Sequence, residues 1–496
     1  MRPWGQSVVE KWWVKLLRGG LVVAASTYVL LFLVLMGMRA GFQYELEWME
    51  GGVLQHIDRI MRGEAVYTTP TLEYVPFIYP PLYYVVCGGM ARLFGLGFFV
   101  PRMISGLCAL GTMLLIYLTV RRETKDRLSP YLAAGLYAAT YSASGYWLDL
   151  ARVDSLSAFL MVGGVMLSRR SSHSSQLVAG LLLALAFFTK QSVLIATGPV
   201  VLCHILARRR GATLFCLALI AAVAVGLVYL VYSSGGWYIY YVFRLPASHP
   251  FYPSMLTYYW MVDIWPVLPV VIPMTIVYLW QGRREGLGGT PVFYGSLLLG
   301  CLAAGWLGRL HVGGAENGGI PVYAAGAIIF GLGIHYLTNS EWGASVPQLK
   351  ATVYGLAMAQ FLVLAYNPAK ALPPDRGREH WKWVEDLVRN SPGEVYMPAH
   401  GYLAARAGKT WFAHTAAILD VLRGPQTTEA ARLEDSFQTA IKSRRFSAVL
   451  LNNRPDVRRF EGTYELLPTD FDREGQNLPE LASGLQTSPR YFMVPK

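Results

Sequence analysis

FQYELEWMEGGVLQHIDRIMRGEAVYTTPTLEYVPFIYPPLYY, residues 42–84, lies between apolar runs. Three acids fall close together in it (Glu45, Glu47 and Glu50), the pair Gly51 and Gly52 follows, and it closes on Tyr79, Pro80, Pro81 and Leu82. Carboxylates kept at the edge of a membrane-like segment are costly unless something uses them. Glu50 is therefore the residue around which the rest of the chain is read.

The 496 residues are 54% hydrophobic and only 15% charged, with a mean hydropathy of +0.35; soluble domains carry about 25% charged residues. This is the composition of a polytopic membrane protein. The net charge of +12 does not point to nucleic acid, because the basic residues sit in short clusters between apolar runs, as a positive-inside bias requires. Before Asn367 there are 25 Lys and Arg against 15 Asp and Glu, and from Asn367 onward 18 against 16. The five cysteines (Cys87, Cys108, Cys203, Cys216, Cys301) stand in apolar surroundings without CxxC spacing and read as buried thiols. Basic residues precede a first apolar run that is long enough to span and has no small-residue cleavage site, so an uncleaved first helix is expected.

Apolar runs able to cross occur at about 20–38, 101–120, 128–147, 155–167, 176–188, 193–207, 212–232, 264–280, 292–307, 320–337 and 351–366. The expectation is thus about 11 transmembrane helices in a mainly α chain. The run 82–100 is apolar but interrupted by Gly88, Gly89, Arg92, Gly95 and Gly97. If it does not cross, the clusters Lys11/Lys15/Arg18, Arg121/Arg122/Lys125/Arg127, Arg169/Arg170, Arg208–Arg210, Arg283/Arg284 and Lys350 all face the cytoplasm. It is therefore read as a helix in the outer interface. The long first loop (41–100), the loops 148–154, 233–263 and 308–319, and the tail are then external.

After residue 366 the apolar periodicity gives way to a soluble alternation: a helix near Arg378–Arg389, a strand at Glu394, a helix at Thr427–Arg444 and a strand at Ala448. Residues 1–366 are read as a membrane domain and 367–496 as a soluble external α/β domain, joined by a linker with Pro373, Pro374 and Gly377.

The external face then gathers Glu45, Glu47, Glu50, His56, Asp58, Arg59 and Arg62 from the first loop, Asp149, Arg152 and Asp154 from the second, Lys190 and Gln191 from the next turn, and Arg244, His249, Arg309, His311 and Glu316 from later ones. Glu50 and Asp154 each open a helical run and could be plain N-terminal caps; for Asp154 the two readings balance. For Glu50 the close backbone approach allowed by Gly51 and Gly52 favours chemistry. Asp58 and Arg62 have i, i+4 spacing on what reads as an amphipathic helix lying on the membrane, its charges solvated. Lys190 interrupts an apolar hairpin, where a snorkelling side chain and a phosphate or carboxylate partner both fit and the partner is the commoner outcome. His56, His249 and His311 lack metal-ligand spacing, and no GxxxxGK[ST] is present, so neither a bound zinc nor nucleotide hydrolysis is expected. Aromatic residues crowd 237–260; interfacial anchoring and sugar or isoprenoid stacking both fit.

The acid in a long first external loop, RIMRGEAVY, YPPLYY, LARVDS and FFTKQS together resemble the GT-C membrane glycosyltransferases, in particular the family-39-like branch with the protein O-mannosyltransferases and the aminoarabinose transferase of lipid A. The resemblance covers Glu47 to about Val193. It implies a GT-C fold, an inner-membrane location with the site facing the periplasm or exterior, and inverting transfer of a sugar from a polyprenyl-phosphate donor to a lipid, glycan or protein acceptor. Glu50 would then be the general base, with Glu47, one helical turn earlier, as the alternative because Met49 replaces the acid many relatives carry before Glu50. Asp154 would match the second acid. Arg152 and Lys190 would bind the carrier phosphate and Tyr79, Pro80 and Tyr83 the lipid, with Gln191, Arg59 and His249 completing the substrate-binding set. No cofactor or metal is implied. A flippase or transporter of lipid-linked substrates is the rival reading, but such proteins place their groups near the bilayer midplane.

Overall fold

Where an apolar run meets lipid its backbone finds no water to pair with, and helix is the outcome. The computed structural model describes residues 12–207, 211–284, 286, 288–339, 347–373, 375–424, 427–468, 483 and 488–496. Lys11, Arg208–Arg210 and Pro374, named above, lie outside the described residues. The apolar part forms α1 (Trp12–Ala40), α2 (Glu50–Met61), α3 (Leu82–Phe94), α4 (Phe99–Thr124), α5 (Leu128–Ala139), α6 (Asp154–Ser168), α7 (His173–Thr189), α8 (Val193–Leu206) and α9 (Ala212–Ser233). After a loop of short helical and π turns come α10 (Val271–Arg284), α11 (Thr290–Arg309), α12 (Ile320–Asn339) and α13 (Pro347–Val363).

Among the described residues five segments are long and apolar enough to cross: α1, α4, α9, α11 and α12 with its preceding turn. Other runs form shorter helices, and the reasons are local. The run expected to continue to Trp147 stops at Ala139, where the Thr140 and Ser144 hydroxyls donate to the carbonyls of Tyr137 and Tyr141 (2.7 Å each) and Gly145 and Tyr146 turn left-handed. The run from Ile264 becomes regular α-helix only at Val271, after the π turn Tyr259–Ile264. α3 has 13 residues, about 20 Å of helix, against a hydrocarbon core of about 30 Å. The chain is a multi-pass membrane protein.

α12 is the axis of this bundle. Nearly every residue on it is buried, and it packs against α4, α5, α10, α11 and α13. Two glycines let helices touch backbone to backbone: a Cβ on Gly300 would stand 2.1 Å from the Ala196 carbonyl oxygen, and one on Gly180 2.6 Å from that of Phe215. Close approach through small residues is how helices associate where lipid offers no hydrophobic gain.

The tail builds α14 (Asp375–Asn390), β1 (Glu394–Tyr396), α15 (Gly401–Arg406), α16 (Thr415–Arg423), α17 (Thr428–Lys442), β2 (Phe446–Leu451), β3 (Tyr464–Leu467) and β4 (Tyr491–Pro495). The sheet order is β1-β2-β4-β3, with β1 and β2 parallel and the other pairs antiparallel. Tyr396, Phe412, Phe437, Phe446 and Phe460 form an aromatic cluster of its own, Tyr396 stacking on Phe446 at 4.7 Å. Leu72 of the first loop is buried in that cluster and accepts from the Ala413 N–H (2.9 Å). Trp381 of α14 stacks on Tyr44. The tail is thus fastened to residues 42–84.

Candidate active site

α2 departs from the membrane-surface helix its pattern implied. Asp58 and Arg62 do pair, at 2.7 Å, but Glu50 to Ile57 are all buried. Gly51 and Gly52 explain how. A Cβ on Gly51 would stand 2.2 Å from Glu45 Oε1 and 2.8 Å from Tyr402; one on Gly52 would stand 2.3 Å from Phe77 and 3.1 Å from His414. The glycine pair therefore admits the first loop's own side chains and the tail.

Glu50 opens α2, and its helix is capped without a side-chain bond from Met49. Its Oε1 accepts from Arg102 Nε (2.9 Å) and the Ala151 N–H (2.8 Å), its Oε2 from Arg102 Nη2 (2.5 Å) and the Leu46 N–H (2.7 Å). Both side chains are fully buried. A carboxylate has about four lone-pair sites, and here each is filled. Burial pushes the Glu50 carboxyl up, but the Arg102 charge and these hydrogen bonds bring it below the usual range. Arg102 also donates to the carbonyls of Phe42 and Tyr44 (2.6 Å each), so the pair pins the chain leaving α1.

Three residues earlier, Glu47 is differently placed. Its Oε2 accepts from Arg152 Nη1 (2.9 Å) and the Met49 N–H (3.2 Å), while its buried Oε1 has no partner among the described residues. Burial pushes this carboxyl up to about 7 against the pull of Arg152. Glu50 makes the Glu47–Arg152 pair possible, because it grips Leu46 and Ala151, the residues immediately before them.

Arg152 reaches on to the Tyr79 hydroxyl (3.3 Å). Asp154 starts α6; its Oδ1 accepts from Lys190 Nζ (2.6 Å) and Asn317 Nδ2 (3.1 Å), and its buried Oδ2 is unpartnered among the described residues. The second acid thus engages a side chain from the α7–α8 turn and one from the turn before α12. Glu47, Arg152 and Tyr79 form one chain of contacts, and Asp154, Lys190 and Asn317 a second, with Lys190 still 15% exposed.

Other expected site residues are occupied elsewhere. Arg59 lies over the Tyr74 ring (4.0 Å), donates to Ala65 and pairs with Glu64 (2.9 Å), which makes it a brace of its own loop. Tyr83 is fully buried and donates to the Pro101 carbonyl (2.8 Å), and Pro80 is buried too. Gln191 ties the α7–α8 turn to the carbonyls of Ile78 and Val242. His249 sits against the tail, its Nε2 3.2 Å from the Asp420 carbonyl. His56 bridges Gly52 and Phe77, and burial lowers it to about 3, so it is neutral.

The tail supplies groups absent from the expected set. His400 Nδ1 makes a short contact with Glu45 Oε2, while Glu45 Oε1 accepts from the Gly51 N–H (3.1 Å). Burial, then the charges of Glu50 and Glu47, push the Glu45 carboxyl well above its usual range. His414, which caps α16, lies 2.8 Å from the Trp48 carbonyl. A cleft of about 590 Å³ opens between the end of α1, α2, the α3–α4 turn and α15, bordering the Glu45 clamp through Tyr402 but not including Glu47, Arg152, Asp154 or Lys190. Among the described residues no three His, Cys, Asp or Glu side chains are grouped to hold a metal ion.

Residues 79–237 match the dolichyl-phosphate-mannose-protein mannosyltransferase family. The fold is similar to that of ArnT from Cupriavidus metallidurans bound to undecaprenyl phosphate, with a TM-score of 0.62 at 12% identity over 96% of this chain and 98% of that one. The apo form of the same protein gives 0.56 at 15% identity over 95% and 98%. No curated protein matches the chain in sequence. The family match covers α3 to α9, and the likeness across nearly the whole chain shows that the protein has the fold of ArnT.

Proposed function

We propose that this protein transfers a sugar from a polyprenyl-phosphate carrier to a hydroxyl-bearing acceptor on the external side of the membrane, with inversion, and that Glu47 rather than Glu50 is the general base. The observation that carries this reading is the unfilled Oε1 of Glu47 beside the saturated carboxylate of Glu50. A base must have a lone pair to offer and a pKa near the working pH, and Glu47 fits both conditions. In the transfer, Glu47 takes the acceptor hydroxyl proton, the acceptor oxygen bonds to the anomeric carbon from the face opposite the carrier, and the bond from that carbon to the phosphate oxygen breaks with its electron pair. The departing phosphate needs cations rather than a proton donor, and Arg152 and Lys190 are its partners. Asp154 positions Lys190. The undecaprenyl phosphate held by the similar ArnT supports a carrier of that class.

The test is transfer of label from a polyprenyl-phosphate-sugar pool by membranes holding the wild type, Glu47→Gln and Glu50→Gln. Loss of transfer in folded Glu47→Gln, with carrier binding retained, is expected. Full activity in that variant removes Glu47 as base, and movement of labelled lipid across the bilayer without any transfer replaces the enzyme by a flippase.

A further inference from the structure

The turn between α5 and α6 buries one side chain directly beside the guanidinium assigned above to the carrier phosphate. Ser144 donates to the Tyr141 carbonyl (2.7 Å) and accepts from the backbone N–H of Trp147 (3.3 Å), so the turn is tied at both ends. Between them Gly145 and Tyr146 both lie in the left-handed region, at φ +68° and +58°. Glycine enters that region freely, whereas a tyrosine does so at a cost. Beyond them the Trp147 ring is only 4% exposed, and a Cβ on Gly145 would stand 3.2 Å from it. The Leu150 N–H donates to the Trp147 carbonyl (3.3 Å), and two residues on the chain reaches Arg152. The Arg152 guanidinium carbon lies 5.4 Å from the centre of the Trp147 ring and 5.8 Å from that of Tyr79, within the reach of about 6 Å over which a cation is drawn to an aromatic face. The indole Nε1–H of Trp147 is buried and has no acceptor among the described residues.

Arg152 cannot meet that need, because a guanidinium has no lone pair to offer, and an indole N–H has none to give in return. Two groups that only donate thus stand together at the edge of the Glu47 pair. A phenylalanine would pack the same turn without leaving a buried donor unpaired, which is a costly state. What suits both groups is a ligand atom rich in lone pairs and free of hydrogens, and an ionised phosphate oxygen has that character. We propose that Trp147 is a carrier-binding residue of the transfer site, its Nε1–H donating a hydrogen bond to an oxygen of the carrier phosphate that Arg152 attracts by charge. This rests on the transferase reading and adds a neutral donor to its two cations. An N–H held in a buried ring is already oriented when the bond to the sugar breaks, so it also stabilises the charge that grows on the departing phosphate.

Three labelled probes read this contact, each titrated by filter binding on the full chain in detergent: undecaprenol, undecaprenyl phosphate, and undecaprenyl phosphate carrying one hexose. Trp147→Phe keeps a ring in the turn and removes the N–H. With a hydrogen bond to a charged group lost, both phosphate-bearing probes are expected to bind about tenfold more weakly, and undecaprenol is expected to bind as before. Benzothienylalanine in place of Trp147 keeps the two-ring shape and lacks only the N–H. It should give the same loss at an unchanged unfolding temperature, which separates the missing N–H from missing packing. A loss confined to the hexose-bearing carrier gives the N–H to the sugar and overturns the phosphate assignment. Equal loss for all three probes makes Trp147 a packing residue and overturns the proposal, as does no loss for any. A wild type that binds undecaprenyl phosphate no better than undecaprenol overturns the transferase reading itself, which a failure confined to the Trp147 variants does not.

Discussion

Two buried carboxylate–guanidinium pairs lie side by side in this protein, Glu50–Arg102 at 2.5 Å and Glu47–Arg152 at 2.9 Å, and they differ in one respect. Every lone pair of Glu50 meets an N–H, and the arginine's remaining donors go to the backbone. Glu47 keeps a vacant oxygen. The first pair is closed and can only hold; the second can still accept a proton. Similar chemistry and similar burial thus give a saturated strut in one place and a carboxylate with an open oxygen in the other, and the count of satisfied lone pairs tells them apart.

The sharpest way to break the comparison is to remove each acid in turn. Glu47→Gln keeps the volume and loses the base; general-base contributions are typically 10²–10⁴ in rate, so kcat is expected to fall by about that factor. The unfolding temperature in detergent should drop as well, because Arg152 loses its buried partner, but by less than in Glu50→Gln, whose carboxylate takes four N–H donors against two for Glu47. Glu50→Gln should cost chiefly stability. Breaking a buried pair strands the other charge at a cost of about 3–5 kcal/mol, and with it go the grips on Leu46 and Ala151. The measurement is unfolding temperature together with activity per folded molecule. If Glu50→Gln leaves stability intact while abolishing transfer, the roles are exchanged.

A smaller effect comes from the glycine pair. Gly51→Ala sets a methyl against Glu45 and Tyr402, and Gly52→Ala sets one against Phe77. Overpacking of this kind costs about 1–3 kcal/mol. It should loosen the tail from the first loop and show as faster cleavage by added protease after Asn367. Unchanged protection in both variants would mean that the tail is held elsewhere.

Much of this was legible in the sequence, for reasons that particular residues make plain. Asp154 at a helix start, Lys190 at a hairpin, and the pairing of Asp58 with Arg62 follow from spacing alone, and the structure has all three. The strands at Glu394 and Ala448 also follow from apolar alternation. What spacing does not carry is which distant group fills which lone pair. Arg102 stands 52 residues from Glu50 in the chain, at the edge of a run read only for its apolarity. A buried arginine at that position had to have an anion, and this was the signal to follow. The tail's part was hidden more deeply. His400, Tyr402 and His414 occur in a stretch of soluble composition, and nothing in it announces that it returns to residues 42–84. Gly51 and Gly52 did report a close approach, but of the protein's own side chains.

The finest test of the comparison is pH, because the two acids are displaced in opposite directions. Glu47 has its folded pKa raised from the ordinary 4.5 to about 7, so between those values the folded state holds a proton the unfolded state has lost. Its contribution to stability is present below about pH 4.5 and declines as pH rises toward 7. Glu50 is lowered. Its contribution is present above the ordinary value and is lost as pH falls through the lower folded one. On the proposed mechanism only the Glu47 carboxylate accepts the acceptor's proton, so kcat should climb with pH through about 7 and level off above it. Asp420 titrates in the same window, and the variants separate them. Glu47→Gln should remove the climb in the residual rate, and Asp420→Asn should leave it in kcat. A climb that survives Glu47→Gln assigns the titration, and the base, to another group.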